Sequence, residues 1–286
     1  MADRPQTIAQ ALTWAVAKLP TSDTPQLDAE LLLAHVLERS RTYLFTWPER
    51  ALSDGDWQCF HQLMTERMAG KPVAYLLGSQ GFWSLELKVT DDTLIPRPET
   101  ELLAETVLAK DLPSNARVVD LGTGTGAIAL ALAKERSGWS VVATDNSPQA
   151  LAVAQDNGQR CGLANVRFLQ SHWFDSFPAD EVFDVVVSNP PYIADDDPHL
   201  CQGDVRFEPN QALVAGDAGL ADIQQIAEQA RSHLKPGGWL LFEHGYNQGQ
   251  QTQALLKQLG YQQVECIRDL GGRDRVTQGL WPSTAP

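Results

Sequence analysis

The spacing of apolar residues changes near residue 72, from the period of a helix to the period of a strand. Between residues 7 and 70, apolar side chains recur every three or four positions, which predicts a set of helices. Residues 82–89 then alternate between apolar and polar, which predicts a strand or hairpin. Because a proline-stiffened link follows, we place a helical domain at 1–78 and a hairpin and linker at 79–100.

From residue 101 to 286, short apolar runs alternate with helical patterns. Strands separated by helices are typical of a parallel, doubly wound sheet, so we predict a Rossmann-like α/β domain at 101–286. The predicted strands lie at 118–121, 141–145, 166–169, 183–188 and 239–243, with two short ones near 262–268 and 274–281, and the predicted helices lie at 101–110, 127–135, 148–160, 219–234 and 247–259.

A glycine-rich turn, Asp-Leu-Gly-Thr-Gly-Thr-Gly at 120–126, joins the first of these strands to its helix. Glycines there let the backbone approach a ligand closely and direct N–H groups towards it. Asp145 ends the next strand, where a carboxylate usually accepts hydrogen bonds from ribose hydroxyls. The same glycine spacing also fits a nicotinamide dinucleotide, so the turn alone leaves an NAD-dependent oxidoreductase open. Asp120 favours a ligand with an ammonium or sulfonium group, because its carboxylate would repel a pyrophosphate.

The strand at 183–188 runs directly into the tetrapeptide Asn-Pro-Pro-Tyr at 189–192. Two prolines fix the backbone and offer no N–H, so strand pairing stops there. The result is a rigid corner with one side-chain amide, outward carbonyls and an aromatic ring. Such a corner suits a planar group that donates N–H, either a nucleobase amine or a carboxamide. Asn and Pro are also common turn residues, so the tetrapeptide is only moderately specific by itself.

The net charge of the chain limits the kinds of binding partner that we expect. The 286 residues carry a formal net charge of -14, which disfavours DNA or RNA and is compatible with a basic protein partner. The four cysteines are far apart, which indicates a reducing compartment rather than a disulfide framework or a zinc site. The sequence has neither a signal peptide pattern nor an apolar run that could span a membrane. We expect a cytoplasmic monomer without a metal, which binds no membrane and no nucleic acid directly.

Taken together, the glycine turn, Asp145 and Asn-Pro-Pro-Tyr resemble the class I S-adenosylmethionine-dependent methyltransferases that act on a planar nitrogen. Further segments resemble the family that methylates the glutamine (N5) of the Gly-Gly-Gln motif in peptide chain release factors. The resemblance runs from about residue 28 to the C-terminus, and Leu-Ile-Pro-Arg-Pro-Glu-Thr-Glu at 94–101 is its most specific part. The other segments are Pro-Val-Ala-Tyr-Leu-Leu-Gly at 72–78, Asn-Pro-Pro-Tyr-Ile at 189–193, Phe-Glu-Pro at 207–209, Ala-Leu at 212–213 and Gly-Leu at 219–220.

This resemblance implies a methyltransferase fold with a small helical substrate-docking domain, S-adenosylmethionine as methyl donor, and release factors as protein partners. It also implies roles for individual residues. Asn189 and the Pro190 carbonyl would accept the two hydrogens of the substrate amide, and Tyr192 would pack on its plane, with Pro191 completing the substrate site. The implied cofactor-binding residues are Asp120, Gly122, Thr123, Gly124, Thr125, Gly126, Asp145, Trp173 and Asn189.

Other interpretations stay open at this point. A sister family modifies a glutamine of a large-subunit ribosomal protein, but it tends to depart from Pro-Glu-Thr at 98–100. Adenine-N6 methyltransferases of nucleic acids share Asn-Pro-Pro-Tyr, but this chain has no basic target-recognition segment. An oxidoreductase and a non-catalytic binding module rank below these. The sequence leaves open the roles of Arg97, Glu208 and the acidic residues 195–197, and which release factors are modified.

Overall fold

The computed structural model describes residues 4–201 and 203–283, which divide into two compact units. The helical unit comprises Met1–Ser79 with Cys201–Phe207, and the sheet unit comprises Gln80–Leu200 with Glu208–Pro286. The segment Cys201–Phe207 therefore belongs to the helical unit, although it lies far along the sequence in the region where we predict the α/β domain.

The helical unit packs around one apolar cluster that contains Leu32, Leu33, Phe60 and Met64. The last of its long helices is capped by Ser53, whose side chain forms a reciprocal capping box with Asp56. Two short helices were not predicted, because six or fewer residues do not show a helical period. The helices are α1 (Ile8–Val16), α2 (Pro25–Val36), α3 (Arg41–Thr46), α4 (Asp54–Met68) and α5 (Val73–Leu77).

A two-stranded hairpin, β1 (Ser79–Phe82) and β2 (Leu85–Lys88), follows as predicted. The link after it ends in a 3₁₀ turn at Pro98–Thr100, which runs directly into α6 (Glu101–Leu108). Thr100 is already helical, with φ -67° and ψ -19°, and its side chain makes no capping hydrogen bond within the described residues. The Thr100 hydroxyl is therefore left for contacts outside the helix.

The strands of the sheet unit form one seven-stranded sheet within the described residues, in the order β5-β4-β3-β6-β7-β9-β8. The first five strands in that order pair in parallel, but β9 is antiparallel to both of its neighbours. The parallel pairing expected for strands separated by helices is confirmed, and β9 reverses because only a short turn joins β8 to β9, whereas a parallel pair needs a longer crossover. The strands are β3 (Arg117–Leu121), β4 (Ser140–Asp145), β5 (Val166–Gln170), β6 (Phe183–Ser188), β7 (Leu234–Glu243), β8 (Gln262–Arg268) and β9 (Asp274–Leu280).

Helices cover both faces of this sheet, since successive strand residues enter different apolar clusters. Val185 and Val187 pack in one cluster and Val186 packs in the other. The register pairs Leu121 with Ser188, and Ser188 with Phe242, so the carboxyl ends of β3, β6 and β7 meet at one edge. The remaining helices are α7 (Ala127–Glu135), α8 (Pro148–Arg160), α9 (Gly216–Gly219), α10 (Ala221–His233) and α11 (Gly249–Gln258).

Candidate active site

A cavity opens at the carboxyl ends of the parallel strands, beside β3. Because β4 lies on one side of β3 and β6 on the other, the strand order reverses at this point. Ligands bind at this reversal of strand order in doubly wound sheets. Of the predicted site residues, the described lining includes Gly122, Gly124, Asp145, Trp173, Asn189 and Pro191. The structure therefore brings the glycine turn, the acid after β4 and the corner after β6 to one cavity.

The glycine turn approaches this cavity with left-handed backbone conformations. Gly122, Gly124 and Gly126 have φ values of 73°, 55° and 87°. A Cβ on Gly126 would lie 3.0 Å from Leu130, so this glycine serves the packing of α7. A Cβ on Gly124 would meet no described heavy atom within 4 Å. Gly124 thus faces open space that a ligand can fill.

Asp145 joins β4 to the glycine turn. Its Oδ2 accepts from the Gly124 N–H at 2.9 Å and its Oδ1 accepts from the Ser147 N–H at 2.9 Å. Burial raises the pKa of Asp145, and these backbone N–H groups offset part of that effect. Each carboxylate oxygen has a second lone pair, so Asp145 can accept from ribose hydroxyls while it holds the turn.

Asp120 lies beneath the turn and is not among the described residues that line the cavity. Its Oδ2 accepts from the Thr123 hydroxyl at 2.6 Å and from the Ala129 N–H at 3.2 Å, in the first turn of α7. Its Oδ1 has no hydrogen-bond partner among the described residues, and burial raises the pKa of Asp120 to about 7. Thr123, Thr125 and Gly126 are also absent from the described lining, and the Asp120–Thr123 hydrogen bond supports the turn from beneath.

Trp173 lies against the glycine turn, with its ring 3.4 Å from the position of a Cβ on Gly122. The residue is 8% exposed and adopts a positive φ of 45°, so the loop after β5 is bent to bring this ring to the cavity. Asp222, which sequence reasoning missed, also lines the cavity, and burial raises its pKa. An acid at the start of α10 has no sequence pattern that points to a site.

Three hydrogen bonds hold the corner after β6 in place. The Ser188 hydroxyl donates to the Leu121 carbonyl at 2.7 Å, which fixes β6 beside β3. The Asn189 Nδ2 donates to the Thr100 Oγ1 at 3.4 Å, and Gln248 Nε2 donates to the Tyr192 carbonyl at 3.0 Å. Asn189 and Pro191 line the cavity, whereas Pro190 and Tyr192 lie outside its described lining.

Arg97 and Glu208, whose roles the sequence left open, form an ion pair. The Glu208 side chain is fully buried and also accepts from the Ile95 N–H at 3.1 Å. The pair therefore ties the link before α6 to the loop that follows the corner. Asp195 and Asp196 are exposed in a turn of that loop.

The residues that the structure describes contain no cluster of His, Cys, Asp and Glu that could hold a metal ion. No helix within them is both long and apolar enough to cross a membrane.

Family models match the chain at two places. The PrmC N-terminal domain matches residues 10–78, and a methyltransferase domain matches residues 112–278. The chain is 51% identical to the release factor glutamine methyltransferase of Shewanella oneidensis over 282 residues, 98% of each chain. It is 52% identical to that of Pseudomonas aeruginosa over 93% of this chain and 96% of the other, and 49% identical to that of Escherichia coli with the same coverage.

Among solved structures, a methyltransferase from Pyrococcus furiosus superposes with a TM-score of 0.54 at 19% identity. The match covers 77% of this chain and 98% of that chain. It agrees with the predicted fold class.

Proposed function

Because the chain belongs to the release factor glutamine methyltransferase family, we propose that it methylates the N5 amide of the glutamine in the Gly-Gly-Gln motif of release factors. S-adenosylmethionine is the proposed donor. The observation that carries the proposal is the amide of Asn189 at the cavity, with its nitrogen engaged by Thr100 and its oxygen left to accept from a substrate amide.

The lining residues fit the proposed cofactor. Gly122 and Gly124 offer a close backbone approach for its methionine end, Asp145 has free lone pairs for its ribose, and Trp173 offers an aromatic face for its adenine. When bound, the cofactor supplies an electrophilic methyl group on a sulfonium. In this part of the cavity, the role of the protein is to bind the cofactor and to orient its methyl group.

The substrate amide is a poor nucleophile, because its nitrogen lone pair is delocalised into the carbonyl. Two acceptors on its N–H bonds, Asn189 Oδ1 and the Pro190 carbonyl, return electron density to nitrogen and aim it at the methyl group. Orientation of this kind can supply about 7–11 kcal/mol of the barrier in favourable cases, and fixed dipoles add to it. The same acceptors reject a glutamate side chain, which has no N–H to offer.

The remaining parts of the proposal concern docking. The helical unit, which exposes Phe45 and Trp47, binds the release factor, and the protein acts as a cytoplasmic monomer without direct contact to nucleic acid. The match of residues 10–78 to an N-terminal domain of this family supports a dedicated docking role.

The test mixes the purified protein, labelled S-adenosylmethionine and a release factor, and maps any methyl group by mass spectrometry. We expect one methyl group on the glutamine of Gly-Gly-Gln. The matched control is a release factor with that glutamine changed to glutamate, which must stay unlabelled. Labelling of a large-subunit ribosomal protein instead would refute the proposed substrate.

A further inference from the structure

Two large apolar side chains of the sheet unit are open to solvent and have no part in the function proposed so far. Leu270, in the turn between β8 and β9, is fully exposed, and Tyr246, in the loop after β7, is 66% exposed. The other exposed large hydrophobic residues among those described belong to the helical unit. A single exposed apolar side chain is ordinary, but two on neighbouring loops indicate a binding surface.

The strand pairing places these two loops side by side, next to the corner after β6. Because β7 runs parallel to β6, the loop that follows β7 lies beside that corner. Because β9 runs antiparallel to β7, the turn that precedes β9 lies at the same end of the sheet. The His244 N–H donates to the Arg275 carbonyl at 3.0 Å and joins the two loops directly. The Asn-Pro-Pro-Tyr corner, Tyr246 and Leu270 therefore lie on three consecutive loops across the sheet.

Hydrogen bonds hold both loops in a defined conformation. In the loop after β7, the Gln248 side chain accepts from the Gly245 N–H at 2.8 Å and donates to the Tyr192 carbonyl at 3.0 Å. This loop is therefore tied to the corner that carries the proposed acceptors. In the turn before β9, the Asp269 carboxylate accepts from a backbone N–H of the same turn at 3.0 Å and pairs with Arg275 at 3.6 Å. A preorganised surface of this kind loses little conformational entropy when a partner binds.

We propose that Tyr246 and Leu270 form a docking surface for the release factor and bury apolar surface of that protein beside its Gly-Gly-Gln motif. This inference rests on the proposed function and adds a docking surface on the sheet unit to the one proposed for the helical unit. A protein whose glutamine reaches the corner after β6 brings neighbouring residues of its own against the adjacent loops. A second copy of this chain is disfavoured as the occupant, because two chains with a net charge of -14 repel each other.

The first test is a matched pair of charge substitutions at exposed residues. Leu270→Asp places a carboxylate in the proposed surface, and Ala164→Asp places the same charge in the exposed loop before β5, at the amino ends of the parallel strands. We expect Leu270→Asp to raise the KM for the release factor about 10- to 100-fold, because it removes an apolar contact and buries a charge. Ala164→Asp should keep the KM of the wild type. The Tm should change little in both variants, because both side chains are exposed.

The second test compares Tyr246→Ala with Tyr246→Phe, which keeps the aromatic ring. Tyr246→Ala should raise the KM for the release factor about 5- to 30-fold, and Tyr246→Phe should recover most of that loss. The kcat at saturating release factor and the Kd for S-adenosylmethionine should stay near the wild-type values in both variants. Neither Tyr246 nor Leu270 is among the described residues that line the cavity, so their effect should appear in docking alone.

The outcomes separate this surface from the proposed function. Equal KM values for Leu270→Asp and Ala164→Asp, or a loss that appears in kcat alone, would overturn the docking surface and leave the proposed function intact. Sedimentation that shows a dimer of the wild type, dissociated by Leu270→Asp, would also overturn it, because a second copy would then cover these loops. A wild type that methylates no release factor would overturn the proposed function itself.

Discussion

The open space at Gly124 allows a direct test of where the cofactor lies. Gly124 has a φ of 55°, and a Cβ at this residue would have no described heavy atom within 4 Å. Gly162, just after α8, has a φ of 67° and the same open surroundings, but it is not among the described residues that line the cavity. Alanine at either position meets the same backbone strain, so the pair isolates the effect of one methyl group in the cavity.

The expected magnitudes separate the two variants. A left-handed alanine costs about 1–2 kcal/mol, so both variants should lose a similar few degrees of Tm. An extra methyl group in a filled site costs about 1–3 kcal/mol, which corresponds to about a 5- to 150-fold increase in Kd. Only Gly124→Ala should show this increase for S-adenosylmethionine, whereas Gly162→Ala should bind it like the wild type.

Isothermal titration calorimetry gives the Kd, and differential scanning calorimetry gives the Tm of each variant. Equal Kd values for the two variants, at equal loss of Tm, would show that the cofactor does not lie over Gly124. A Kd increase in both variants would show that backbone strain reaches the site from a distance. The first result would refute the assignment of the glycine turn to the methionine end of the cofactor.

Three further predictions concern carboxyl and amide groups of the same sheet edge. Asn189→Ala should abolish methyl transfer and leave the Kd for S-adenosylmethionine within a few-fold; loss of cofactor binding in a titration would contradict its substrate role. Asp145→Ala should chiefly weaken cofactor binding, because it removes both the ribose acceptor and the bond to the Gly124 N–H; an unchanged Kd would reject the ribose role. Glu243→Gln should gain stability over the wild type as pH rises from 5 to 8, by about 2–3 kcal/mol from the difference between a folded pKa of about 7 and an unfolded value near 4.5. The sign follows because the folded protein holds the proton of Glu243 up to higher pH than the unfolded chain, and urea unfolding at the two pH values measures it.

The elements that carry the cavity were predictable because each has a local cause. Buried strands appear in the sequence as apolar runs. The glycine turn needs residues that tolerate a positive φ, and the two prolines after Asn189 end the pairing of β6. These features placed Gly122, Gly124, Asp145 and Asn189 correctly at one edge of the sheet. Trp173 was identified only through resemblance, and the structure also brings it to the cavity.

Features that depend on distant parts of the chain were not predictable in this way. Nothing in the sequence pattern links Thr100 to Asn189, but the 3₁₀ turn before α6 frees its hydroxyl for that residue, 89 positions away. Glu243 looked like the polar end of a strand, yet its carboxyl is buried among residues from α6 and the β6 corner. The antiparallel direction of β9 depends on the short turn that precedes it. The spacing of apolar residues in a strand does not show in which direction that strand runs.

Asp120 and Glu243 show a common arrangement in β3 and β7, the two strands that flank β6. Each is a fully buried acid at or near the last residue of its strand, each lies beside a threonine hydroxyl, and burial raises the pKa of each to about 7. Because both acids hold their protons longer in the folded state, ionisation of either lowers the free energy of unfolding between about pH 4 and 7. A fold optimised for stability alone would place apolar residues there. Asp120 instead fixes Thr123 and the first turn of α7 behind the glycine turn. The glycine turn is thus backed by a destabilising carboxyl group, whose benefit is the orientation of the loop in front of it.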